Sequence, residues 1–85
     1  MATAASKKHA ENISRYYDQQ LRRGFEKDDA VEYAIRQVWP RKSEDAQADI
    51  FATIRHVFDE YPSGVARKIA LSAAVEKYRI AYIHG

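Results

Sequence analysis

His9, His56 and His84 are the three histidines of the chain, and they fall in separate segments. Only His56 has acids at helical spacing, Asp59 three residues on and Glu60 four. A metal ion needs ligands converging from several positions. One histidine with two acids along a helix reads instead as a solvated surface. The absence of cysteine removes thiolate nucleophiles, thiolate metal sites and disulfides. Ser6, Ser14, Ser43, Ser63 and Ser72 stand mostly at expected helix starts, where capping accounts for them. Asp28-Asp29 and Asp59-Glu60 are adjacent acid pairs. Neighbours on a helix point about 100° apart, whereas acid–base catalysis requires groups that face one another in a dry cleft. Three glycines do not suffice for a phosphate loop or dinucleotide fingerprint. The reading is therefore of a non-enzyme, with no catalytic residue, no metal, no cofactor and no small-molecule substrate.

Basic pairs are the second class of candidate. Lys7-Lys8, Arg22-Arg23, Arg41-Lys42 and Arg67-Lys68 recur along the chain. Arg67 and Lys68 fall in the first turns of an expected helix, where the dipole disfavours cations and a bound phosphate would relieve the cost. The short turn before that helix loosely resembles the one in a helix-turn-helix pair. Few other side chains there could read a base edge, so contact would be with phosphates rather than sequence. A DNA- or RNA-binding regulator contacting phosphates through Arg22, Arg23, Arg41, Lys42, Arg67 and Lys68 is the alternative function.

The third class is aromatic. Six tyrosines and one tryptophan in 85 residues are a high count, and interfaces favour such side chains. Tyr16 and Tyr17 are adjacent and cannot both face one core, and Tyr33 lies off the apolar stripe of its helix. The last helix is apolar nearly all round. Val65, Ile69, Ala73, Ile80 and Ile83 occupy one side, and Leu71, Ala74, Val75, Tyr78 and Tyr82 much of the rest. Such a helix is buried on more than one face. This surplus favours a protein-binding or regulatory module, homodimeric or bound to another protein. The expected interface is Leu71, Val75, Tyr78, Arg79, Ile80, Tyr82 and Ile83.

Four helices carry these residues, at about 7–23, 29–38, 44–60 and 64–82. The expected architecture is thus an all-α, small, compact bundle in a single domain, 7–85, behind a frayed segment 1–6. In the first helix Ser6 is the expected cap, and Ile13, Tyr17 and Leu21 share a stripe. Gly24 then supplies a left-handed end that folds Phe25 back on Leu21. The second helix starts at Asp28 or Asp29 and stops before Pro40. The third, capped by Ser43, has the clearest period, with Ile50, Phe51, Ile54, Val57, Phe58 and Tyr61. Tyr61-Pro62-Ser63-Gly64 makes a turn into the fourth. Residues 78–83 also alternate at period two, which leaves an end strand as the minor alternative.

Charge and length set the outer bounds. Eighty-five residues and 9.8 kDa hold one thin core. Net charge is +2, unevenly spread as +3 over residues 1–43 and −1 over residues 44–85, a smaller excess than dedicated nucleic-acid binders usually carry and too weak to decide the partner. No stretch approaches the ~20 apolar residues of a membrane span, and no apolar leader follows Met1. The first helix carries too many acids to lie on a membrane surface, so a cytoplasmic setting is expected.

Overall fold

A computed structural model describes residues 3–40 and 43–82 of the chain, and their side chains as far as Tyr78. The protein is a four-helix bundle. Helix α1 is Ala4–Arg22, α2 Lys27–Val38, α3 Glu44–Glu60 and α4 Gly64–Tyr82. Each helix packs on its neighbour in the chain, and α4 closes the ring against α1. The described residues contain no strand, and α4 continues as helix through Tyr82.

The spacing of apolar residues sets which face of each helix turns inward. From α1 come Ala10, Ile13 and Tyr17, from α2 Ala30, Val31, Ala34 and Ile35. The third helix supplies Ile50, Ile54, Val57 and Phe58, and α4 adds Leu71, Ala74, Val75 and Tyr78. The Tyr17 and Phe58 rings stack across the bundle at 3.8 Å. Tyr16 turns the other way and meets Tyr33 of α2 edge-on at 6.1 Å. Those two tyrosines, set apart by their awkward phase, meet each other within the protomer, with Tyr33 still exposed.

Two helix starts differ from expectation. Helix α1 begins at Ala4, not Lys7, because Thr3 is its cap and accepts from the Ser6 amide at 3.1 Å. Residues 4–6 are therefore helical rather than frayed, and Ser6 is fully buried instead of capping. Met1 and Ala2 lie outside the described residues. Helix α2 begins at Lys27, with Glu26 at the cap and no side-chain cap bond. Asp28 and Asp29 sit inside its first turn, where the dipole favours them. Asp28 also reaches Arg55 of α3 at 2.8 Å.

The end of α1 follows the expected rule. Gly24 has φ +92°, its amide donates to the Leu21 carbonyl (3.0 Å) and the Phe25 amide to that of Gln20 (3.1 Å). This is the paired bonding of a Schellman end. Leu21 itself stays 38% exposed rather than joining the core stripe.

Candidate interaction face on helix α4

Helix α4 has apolar residues on two opposed sides, and the bundle uses one. Leu71 and Val75 are completely buried and Tyr78 nearly so. The Tyr78 hydroxyl donates to the Asp49 carbonyl at 3.1 Å and shares a short hydrogen bond with the Thr53 hydroxyl. A phenol whose oxygen is satisfied inside the protomer needs no water at its tip. These findings correct the expected interface, since Leu71, Val75 and Tyr78 are core and cannot meet a partner in the folded protomer. The side chains of Arg79, Ile80 and Tyr82, and all of Ile83, lie outside the described residues.

The opposite side of α4 is open. Val65 is 72% exposed and Ile69 65%, the most exposed of the large described hydrophobic residues, and Ala73 is exposed one turn further. They are spaced by four and share one face. Beside them, a groove of about 650 Å³ runs between α1 and α4, lined by Lys7, Glu11, Lys68, Ile69, Ser72, Ala73 and Glu76. Ser72 hides its hydroxyl by donating to the Lys68 carbonyl at 2.9 Å.

The rim is charged but balanced, with two lysines and two glutamates. Lys68 lies 3.5 Å from Glu11 across the groove. Glu76 reaches the amino end of α1, accepting from the Thr3 amide (3.2 Å), the Thr3 hydroxyl (3.1 Å) and the Ser6 hydroxyl. A carboxylate at that end is favoured by the α1 dipole. Lys7 has no ion-pair partner among the described residues.

Of the expected phosphate contacts, Arg22, Arg67 and Lys68 line one groove between α1 and α4 together with Arg15, where Glu11 and Asp18 offset the cations. Arg67 is 8% exposed and wholly engaged. Its guanidinium donates to both oxygens of Asp18 (2.8 and 3.3 Å), to the Ser14 hydroxyl (2.5 Å) and to the Pro62 carbonyl (3.0 Å). It also lies over the Phe58 ring, 5.2 Å from the centroid, and the Tyr17 ring at 6.0 Å. This corrects its expected role as a phosphate contact, because Arg67 is buried and all four N–H groups of its two terminal nitrogens are taken within the bundle. Burial pushes the Tyr17 phenol up, against the pull of Lys27 and Arg67. Arg22 and Arg23 remain exposed at the end of α1, with Arg23 over the Phe25 ring. Lys68 is exposed but leans to Glu11. Arg41 and Lys42 lie outside the described residues.

Among the described residues, no three or more His, Asp or Glu side chains gather as a metal site would require. Asp59, beside His56 in sequence, is bound to Lys27 of α2. No described helix is long and apolar enough to cross a membrane.

Sequence reasoning singled out both sides of α4 and drew its interface from both, and the bundle buries Leu71, Val75 and Tyr78 from that set. Charged residues occur on both sides, Arg67 inward and Lys68 and Glu76 at the groove, so charge did not mark the exposed face. Its usable signal was the four-residue spacing of Val65, Ile69 and Ala73. Comparison with known protein families, characterised proteins and solved structures finds no significant match.

Proposed function

We propose that the protein is a non-catalytic protein-binding module that engages its partner through the outward face of α4. Val65, Ile69 and Ala73 form the contact, with Lys7, Glu11, Lys68 and Glu76 as the polar rim. One observation carries this reading: α4 keeps a second apolar stripe in water after its first has filled the core. Fully burying a side chain such as valine or isoleucine contributes roughly 1.5–3 kcal/mol, so two of them supply a useful fraction of a binding free energy. The balanced rim favours a protein over a polyanion, which would select an excess of lysine and arginine. The loss of Arg67 as a free cation points the same way.

The test is a photoreactive amino acid at Ile69, with a control at the exposed Gln37 on α2. Irradiation in the source cells should give discrete protein adducts, self-adducts included, from position 69 and none from position 37. Absence of any protein adduct at 69 would overturn the reading.

A further inference from the structure

Resting on that reading of α4, we infer that the occupant of this face is a second copy of the chain, docked antiparallel about a twofold axis between Ile69 and Ala73. The argument is one of self-complementarity. Helices α1 and α4 run antiparallel, since Ser6 meets Glu76 at one end of the groove and Glu11 meets Lys68 further along. Moving towards the carboxyl end of α1 therefore moves towards the amino end of α4. A twofold axis through the middle of the groove sets Ile69 opposite Ala73 of the second copy, and the reverse. The large side chain enters the space left by the small one, twice.

The same rotation sorts the charges. Lys7 comes opposite Glu11 of the second copy, and Glu11 opposite its Lys7. Lys68 falls within about half a helical turn of Glu76 of the second copy. Every like-charge pairing at the rim is avoided, and Lys7 gains the partner it lacks in the protomer. Twofold interfaces need a patch that complements itself in this way. About this axis residues 64–78 of α4 overlap over about 21 Å and residues 4–14 of α1 over about 15 Å, which buries roughly 700 Å² over both copies, the size of a weak, transient contact. A weak dimer, with Kd in the micromolar range, is expected.

The experiment combines light scattering with crosslinking on the full chain. The protein should run as a species of twice 9.8 kDa at high micromolar concentration. Ile69→Asp should weaken association at least a hundredfold while leaving the helical circular dichroism unchanged. Lys7→Glu should weaken it about tenfold, and Lys7→Glu with Glu11→Lys should restore it. Because the chain has no cysteine, an equal mixture of Ile69→Cys and Ala73→Cys should oxidise to the mixed disulfide ahead of either homodimer. A dimer that resists Ile69→Asp overturns this inference, whereas the α4 face is overturned only by the absence of protein adducts at position 69. A dimer split by Ile69→Asp without the mixed disulfide overturns the antiparallel register. A monomer at millimolar concentration overturns the second copy alone, and adducts with other proteins at position 69 then keep the α4 face as a binding site.

Discussion

Arg67 of α4 grips the Asp18 carboxylate of α1 with both terminal nitrogens, at 2.8 and 3.3 Å, while its guanidinium carbon lies 6.0 and 5.2 Å from the stacked rings of Tyr17 and Phe58. One buried cation thus ties α1, the turn before α4 and the α3 ring into a single cluster. Arginine suits this position because its planar fork makes several fixed bonds and still stacks on aromatic faces.

Removing one side of this cluster should cost more than replacing the cation. Asp18→Ala leaves the guanidinium without its counter-charge, and we expect a loss of about 2–3 kcal/mol. The partial exposure of Asp18 keeps the figure below that of a fully buried pair. Arg67→Met keeps the packing on Tyr17 and Phe58 and should cost about 1 kcal/mol or less. Urea denaturation of both variants, at constant m-value, distinguishes the two.

Leu71 and Ile69 lie two residues apart on α4 and should respond very differently when dilute. Leu71→Ala opens a cavity in the core and should destabilise the protomer by about 2–5 kcal/mol. Ile69→Ala, at a 65% exposed position, should fall within about 0.5 kcal/mol at dilute concentration. At concentrations where copies associate, Ile69→Ala should also lower Tm, since association stabilises the folded state by mass action. Thermal melts across a hundredfold concentration range would show this.

Lys27 and Asp59 join α2 to α3 at the surface. Their hydrogen bond holds the Asp59 carboxyl below its usual range and the Lys27 ammonium above its own. The Asp59 contribution is complete above the unfolded carboxylate value and fades as pH falls through the lowered folded value. The Lys27 contribution is complete below the unfolded ammonium value and is lost as pH rises through the raised folded value. The pair therefore acts across the neutral range and fails at both extremes. In Lys27→Ala, the Asp59 carboxyl carbon should titrate at a higher pH than in the parent protein, read by NMR.

Gly24 closes α1 in the left-handed region, at φ +92°. A methyl group there would meet nothing within 4 Å, so any cost of Gly24→Ala is conformational. We expect about 1–2 kcal/mol from the backbone alone, read as a lower Tm with an unchanged near-ultraviolet spectrum.

Local chemistry determined most of the helix map. The repeat of Ile50, Ile54, Val57 and Phe58 fixed α3 and its inward face, because a helix of that phase has only one apolar side to bury. The glycine at position 24 fixed the end of α1, since few other residues tolerate that backbone. Only the assembled bundle decided which side of α4 is core. Both sides are apolar at helical spacing, and the choice depends on how α1 and α3 pack against it and on the Asp49 carbonyl that receives the Tyr78 hydroxyl. The fate of Arg67 was equally hidden. In sequence it is one half of a basic pair, and its burial follows from Asp18, 49 residues away, which only folding brings within reach.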